Sequence, residues 1–173
     1  LFWTISGLYF SWTELDEIHG DHFKKVKVKN QFKNLLSPSE FNFGAAINSL
    51  ELKEIADIPY YWINGTKLIN AYDGDVKDSI TKQEAIIISN NNILDEYKIS
   101  DIEIINEVGN HHEYRGRPLP AYVISYEGSD KLKSYISIKD GQFQTVRHRS
   151  WRWFDFLWIC LLYTSPSPRD SSP

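Results

Sequence analysis

Two short clusters rich in histidine and charged residues are the parts of this sequence best suited to chemistry. The first is His19-Gly20-Asp21-His22, in which two imidazoles lie three residues apart beside a carboxylate, shortly after three acidic residues at 14–17. Histidine and carboxylate side chains bind divalent transition metals, and residues three apart can share one helical face. His19, His22 and Asp21 are therefore candidate metal ligands. The alternative is a solvated acidic surface, since the cluster has neither a third histidine nor a cysteine.

The second cluster is His111-His112-Glu113-Tyr114-Arg115-Gly116-Arg117-Pro118. Guanidinium groups recognise carboxylates and phosphates through two parallel hydrogen bonds. Arg115, Arg117, His111 and His112 are therefore candidate residues for binding a small anionic ligand or a lipid headgroup. Alternatively, the two arginines pair with acidic residues of a neighbouring sheet, and the residues around them shape a turn.

Motifs of known catalytic classes are absent from the sequence. It contains no nucleophile motif, phosphate-binding loop, dinucleotide fingerprint or zinc signature. The formal net charge of -4 gives no indication of nucleic acid as a partner. We therefore predict no catalytic residue and no cofactor within this chain.

A first set of secondary-structure signals precedes residue 79. Ser37-Pro38-Ser39-Glu40 is typical of a helix start, and a short helical pattern follows through Ala45 and Ile47. Candidate strands come next at 49–56, 60–64 and 67–72. Asn64-Gly65 predicts a tight hairpin because both residue types tolerate positive φ.

A second set follows with the same kinds of signal. Thr81-Lys82-Gln83-Glu84 matches a capping box and predicts a helix that ends near Asn92. Alternating apolar residues predict strands around 102–106, 122–126 and 135–138. Asp140-Gly141 predicts a last hairpin before Phe143.

The two sets share one layout. In each, a helix and a strand precede a second strand opened by Pro59-Tyr60 or Pro120-Ala121, and a third strand ends at Asp73-Gly74 or Asp140-Gly141. This predicts an α+β fold with an internal duplication, each unit having one helix and a three-stranded antiparallel sheet. The predicted units are 37–78 and 79–149, after a polar link at 13–36.

Both flanks of the chain are aromatic and apolar. Neither 1–12 nor 151–159 reaches the ~20 apolar residues that span a bilayer, but Trp and Tyr gather at membrane interfaces. We expect the end of one transmembrane helix at 1–12 and the start of another at 150–159. A buried amphipathic helix or a signal-peptide remnant would also explain the first. The expected membrane anchors are Trp3, Tyr9, Trp12, Trp151, Arg152, Trp153, Asp155 and Trp158.

Asp155 is an acid within an aromatic flank. A carboxylate near or in a membrane is costly unless it is paired. Arg152 lies three residues earlier on the same helical face and is the expected partner.

The last residues differ in character from the rest. From Cys160 to Asp170 the sequence resembles the translation of one frame of a transposase sequencing adapter, and its two prolines disfavour a helix. We therefore expect 160–173 not to be native and assign Cys160 no role in redox chemistry or metal binding. The chain opens on Leu1 and contains no Met, which predicts a fragment of a longer protein.

The duplicated layout, with Asp-Gly turns ending strands, resembles the PepSY domain, and the flanks resemble PepSY-associated transmembrane proteins of bacteria. Long unmatched stretches separate the blocks that carry the resemblance. These blocks are Phe2-Trp3-Thr4-Ile5-Ser6-Gly7-Leu8-Tyr9-Phe10, Ile18-His19-Gly20-Asp21-His22, Glu113-Tyr114-Arg115-Gly116-Arg117-Pro118-Leu119-Pro120-Ala121-Tyr122 and Trp151-Arg152-Trp153-Phe154-Asp155-Phe156-Leu157-Trp158.

The resemblance implies a binding or regulatory module of a bacterial inner-membrane protein, with its soluble part in the periplasm. Its partners would be the lipid bilayer and a protein or a small anionic ligand. Basic residues near both flanks favour the cytoplasmic side, but this rule loses force for loops longer than ~60 residues. The alternative is a haem-bearing membrane reductase linked to ferric-siderophore uptake. In the family a His-containing motif follows the block at 151–158, and this sequence lacks it.

Overall fold

The structure is a computed structural model that describes residues 18–26, 30–41 and 46–164, with the backbone alone at 161–164. The helices that lie wholly within these residues are α1 (Lys82–Asn92), α2 (Arg149–Thr164) and short 3-10 helices at Asp21–Phe23 and Pro38–Glu40. The strands are β1 (Leu50–Ile55), β2 (Ile58–Ile63), β3 (Lys67–Asn70), β4 (Val76–Lys77), β5 (Ile99–Ile105), β6 (Ala121–Tyr126), β7 (Lys133–Ser137) and β8 (Phe143–Arg147).

The first sheet contains β1 to β4 in chain order, and each strand pairs antiparallel with the next. Between β1 and β2 the chain turns at Ala56 and Asp57, which have φ of 50° and 67°. Positive φ at both central positions gives a hairpin whose twist matches that of its strands. Between β2 and β3, Asn64 and Gly65 have φ of 51° and 68°, in agreement with the predicted turn.

The second sheet repeats this order with β5 to β8. α1 precedes it, and its N-terminus carries the predicted capping box. The Thr81 hydroxyl accepts a hydrogen bond from the Glu84 amide, and the Glu84 carboxylate accepts one from the Thr81 N–H at 2.7 Å. α2 begins directly after the second sheet.

One hydrophobic core joins the two sheets and α1. Its members include Ile55, Tyr60, Leu68, Ala85, Ile88, Ile124, Ile136 and Val146. The sheets approach each other closely at Gly141, where a Cβ would lie 3.0 Å from Ile55 and 3.2 Å from Ile80. The two predicted units therefore share their main core.

Each sheet also has an outer face covered by other parts of the chain. Leu35 and Phe41 pack on the outer face of the first sheet. On the second, the buried ring of Tyr114 stacks on Tyr135 of β7, with ring centroids 4.7 Å apart. The loop between β5 and β6, which contains the second charged cluster, therefore lies on the outer face of the second sheet.

The structure confirms the α+β class and corrects several details. Each sheet has four strands instead of three, because β4 and β8 follow the Asp73-Gly74 and Asp140-Gly141 turns and pair with the preceding strand. The helix expected from Ser37 through Ile47 is a 3-10 turn at Pro38–Glu40. Positions 42–45 of that expected helix lie outside the described residues, and 46–47 are not helical. α2 continues beyond position 159 to Thr164, since the first proline comes only at Pro166.

The expected membrane helices are not seen as spanning segments. Among the described residues, no helix has both the length and the apolar character needed to cross a membrane. The expected helix at 1–12, with Trp3, Tyr9 and Trp12, lies outside those residues. The other expected anchors belong to α2.

Candidate functional site

Two ion pairs hold the base of α2 against the loop between β5 and β6. Arg152 Nε donates to Glu113 Oε2 at 2.6 Å. Arg115 makes a bidentate ion pair with Asp155, in which Nη2 donates to Oδ1 at 2.6 Å and Nη1 donates to Oδ2 at 3.0 Å. Glu113 also accepts a hydrogen bond from the Tyr135 hydroxyl of β7. The Glu113 carboxylate thus links the helix, the loop and the sheet.

The protonation states at this junction suit a structural role. Burial alone would raise the pKa of Glu113, but hydrogen bonds from Arg152 and Tyr135 outweigh it and hold the pKa below its usual range. Burial and the neighbouring Glu113 raise the pKa of Tyr135. At neutral pH, Glu113 is therefore ionised and Tyr135 remains a neutral hydrogen-bond donor.

The predicted pairing of Asp155 with Arg152 is wrong. Arg152 is engaged by Glu113, and Asp155 is bound by Arg115 from the loop. Partners three apart on a helix are neighbours on its surface, but here the loop supplies closer opposite charges to both residues. Arg115 thus pairs with an acid, as the alternative interpretation expected, although that acid lies on α2 and not on a sheet.

An aromatic groove, formed by Lys131, Arg149, Arg152, Trp153 and Phe156, runs beside α2 and has a volume of about 530 Å³. Trp153 is 54% exposed and Phe156 55% exposed. Their rings meet edge to face, with centroids 6.1 Å apart. The groove therefore presents apolar rings and positive charge on one surface. The sequence interpretation missed Lys131 and Arg149, since no pattern links them to the helix.

The histidines of the second cluster lie at a neighbouring cavity of about 750 Å³, which His111, His112 and Lys133 help to line. His112 Nδ1 accepts a hydrogen bond from the Tyr114 N–H at 3.1 Å, so this ring helps to fix the loop. The structure thus places His111 and His112 together, but it separates them from Arg117.

Arg117 lines a different cleft, of about 570 Å³, together with His19, Asp21, Lys24 and Arg147, and we call this the basic cleft. Arg117 Nη1 donates to the Gln144 carbonyl of β8 at 3.0 Å. The basic cleft brings residues of both charged clusters together although they are far apart in the chain. Lys24 and Arg147 were visible in the sequence only as basic residues near the flanks, with no signal that they would meet.

His19, His22 and Asp21 do not assemble as metal ligands. The two histidines are separated by Gly20, whose φ of 72° interrupts helical geometry, so they do not share the helical face that the prediction requires. In the described parts of the chain, no group of three His, Cys, Asp or Glu side chains could hold a metal ion.

These residues have other contacts. Asp21 pairs with Lys24 at 2.8 Å, and the hydrogen bond and charge of Lys24 lower the pKa of Asp21. The His22 ring meets the buried ring of His148, with centroids 5.7 Å apart. His148 Nε2 lies 3.1 Å from the Ile18 carbonyl, and burial lowers the pKa of this histidine. The first cluster thus joins the N-terminal segment to the start of α2.

Comparison of the chain with protein-family models, curated proteins and solved structures finds no match. Its function is therefore inferred from its own residues. The features that bear on function are the ion-paired base of α2, the aromatic groove and the basic cleft.

Proposed function

We propose that this chain is a non-enzymatic binding or regulatory module that acts at a membrane surface. The aromatic groove carries this proposal, because Trp153 and Phe156 are half exposed beside Lys131 and Arg149. Aromatic rings are favoured where acyl chains meet headgroups. Lys and Arg close to a bilayer attract anionic lipids, each contributing about 1 kcal/mol. The groove offers both kinds of contact on one surface.

The ion pairs at the base of α2 support the same role. Arg115 neutralises Asp155, whose charge would otherwise oppose approach to lipid. Glu113 holds Arg152 and Tyr135 together, which sets the direction of α2 relative to the second sheet. The groove is therefore presented in a defined orientation.

We further propose, from the sequence resemblance, that the module is of the PepSY type in a bacterial inner-membrane protein, with its soluble part in the periplasm. The duplicated antiparallel sheets support this proposal. The partner would be a protein or a small anionic ligand in addition to the bilayer.

Vesicle flotation tests the membrane proposal. The full chain should float with phosphatidylcholine vesicles that contain phosphatidylglycerol. Replacing Trp153→Ala and Phe156→Ala together should weaken binding about 30-fold, because each half-exposed ring contributes about 1 kcal/mol when it enters the interface. Alanine keeps the helix propensity of α2.

A matched control uses apolar side chains of similar exposure on edge strands. Leu52 in β1 is 48% exposed and Ile104 in β5 is 53% exposed. Leu52→Ala and Ile104→Ala together should leave vesicle binding within about twofold of the wild type, since single exposed apolar residues away from the groove are ordinary surface. Equal flotation of the wild type and the aromatic double variant would refute the proposal.

A further inference from the structure

The basic cleft contains more positive than negative charge. Its charged side chains are Lys24, Arg117 and Arg147 against Asp21, so three cations face one carboxylate. Asp21 is paired with Lys24. Within the described residues, no carboxylate lies within 4.0 Å of the guanidinium of Arg117 or Arg147. Arg117 and Arg147 therefore form no ion pair with a carboxylate of the described residues.

Arg147 is held rigidly at one wall of the cleft. Its guanidinium stacks over the Trp151 ring at 3.9 Å from the centroid. Its Nε donates to the Glu113 carbonyl at 3.0 Å, and its Nη1 donates to Thr145 Oγ1 at 2.6 Å. Stacking and these bonds fix the plane of the guanidinium, so a ligand need not order this side chain.

Arg117 lines the same cleft and has N–H groups that bind no described residue. Of its hydrogen bonds to described residues, the one at 3.0 Å to the Gln144 carbonyl uses Nη1. A guanidinium has five N–H donors, and those on Nε and Nη2 bind no described residue, so they can donate to a ligand. Burial and the nearby charge of Arg117 lower the pKa of Arg147 to about 10. Both side chains are cations at neutral pH, and a bound anion would relieve their repulsion.

We propose that the basic cleft is a binding site for a phosphate group. Two arginines that pair with no carboxylate in the described part of the chain match the charge of about -2 on a phosphate monoester. The phosphate oxygens can accept hydrogen bonds from two guanidinium groups at once. A single carboxylate carries one negative charge and would balance only one of the two arginines. The ligand is either free phosphate or a soluble monoester, or the headgroup of a phosphatidic acid lipid. This inference does not depend on the aromatic groove.

Equilibrium dialysis of the full chain against radiolabelled inorganic phosphate, at constant ionic strength maintained with chloride, tests the soluble ligand. Saturable binding should weaken about tenfold or more in Arg117→Gln. This variant removes the positive charge and, among the described residues, disturbs one hydrogen bond, the one to the Gln144 carbonyl. Arg147→Lys keeps the positive charge but loses the planar guanidinium, with its paired donors and its stacking on Trp151. This variant should weaken phosphate binding by several-fold. Lys82→Gln is the control, because it removes a positive charge from an exposed residue of α1 that lies in neither the basic cleft nor the aromatic groove, and it should not change phosphate binding.

Vesicle flotation distinguishes the lipid source. If the ligand is a headgroup, the chain should prefer vesicles with phosphatidic acid over vesicles of equal charge with phosphatidylglycerol, and Arg117→Gln should abolish this preference. Because Arg117 lies outside the aromatic groove, Arg117→Gln should still bind phosphatidylglycerol vesicles, so failure of one proposal is separable from failure of the other. The phosphate site is overturned if neither phosphate nor phosphatidic acid is preferred, or if Arg117→Gln binds either as well as the wild type does.

Discussion

Replacing Glu113 with glutamine removes the charge that joins α2 to the second sheet. The glutamine side chain has the same size and keeps a carbonyl oxygen that can accept from Tyr135. It loses the ion pair with Arg152, in which Nε and Oε2 are 2.6 Å apart. The substitution therefore tests charge with little change in volume.

The expected loss in the free energy of unfolding is about 2 to 3 kcal/mol. The pair is partly buried, with side-chain exposures of 31% for Arg152 and 15% for Glu113. An exposed ion pair contributes about 0 to 1 kcal/mol, whereas breaking a fully buried pair costs about 3 to 5 kcal/mol. Because this pair is intermediate in burial, we expect its loss to lower the free energy of unfolding by about 2 kcal/mol. The bond from Tyr135 becomes neutral and weakens by up to about 1 kcal/mol.

The pH dependence follows from the lowered pKa of Glu113. Its ordinary value is 4.5, and the folded value lies below it. The unfolded state therefore takes up the proton first as pH falls, so the stabilisation is fully present above about pH 4.5 and is lost through the folded pKa. The difference between wild type and Glu113→Gln should be constant at neutral pH and shrink in acid.

Urea denaturation followed by far-ultraviolet circular dichroism, at pH 7 and in acid, measures both effects. Glu103→Gln is the matched control, because Glu103 pairs with Lys133 at 3.6 Å and its side chain is 52% exposed. That variant should lose no more than about 0.5 kcal/mol. If the two variants lose equal stability at pH 7, the reasoning about Glu113 is wrong.

Two further substitutions test local features of the fold by urea denaturation. Thr81→Ala should lower the free energy of unfolding by about 1 kcal/mol, because it removes the hydroxyl that accepts a hydrogen bond from the Glu84 amide. Thr81→Ser keeps the hydroxyl and should remain close to the wild type. Equal losses of stability in the two variants would contradict the capping role. Gly141→Ala should cost about 1 to 3 kcal/mol more than Gly65→Ala. Both positions have positive φ, but a new Cβ at 141 would lie 3.0 Å from Ile55, whereas nothing lies within 4 Å of a new Cβ at 65. Equal losses in the free energy of unfolding would show that close packing at 141 is unimportant.

Local sequence signals predicted most of the strands and α1. Thr81 and Glu84 are three residues apart, so their reciprocal hydrogen bonds follow from spacing alone. Asn64 and Gly65 tolerate positive φ, and both have it. The turn at Ala56 and Asp57 was missed, because alanine is not a usual residue at positive φ and the pairing of β1 with β2 imposes the conformation.

The site residues were predicted by type but not by grouping. Arg115 and Arg117 are neighbours in the chain, yet Arg115 binds α2 and Arg117 lines the basic cleft. Gly116 between them has φ of 72°, where the chain turns. Two arginines of one motif, separated by a single glycine, therefore lie on different surfaces.

Local sequence patterns predicted most of the strand positions, the cap of α1, the Asp-Gly turns and the aromatic and basic residues near both flanks. These features depend on residues within a few positions of one another. The shared core of the two sheets and α1, and the pairing of Asp155 with Arg115 instead of Arg152, are visible only in the folded chain. Such outcomes depend on which side chains are close in space, because packing and ion pairing act over a few ångströms regardless of distance along the chain.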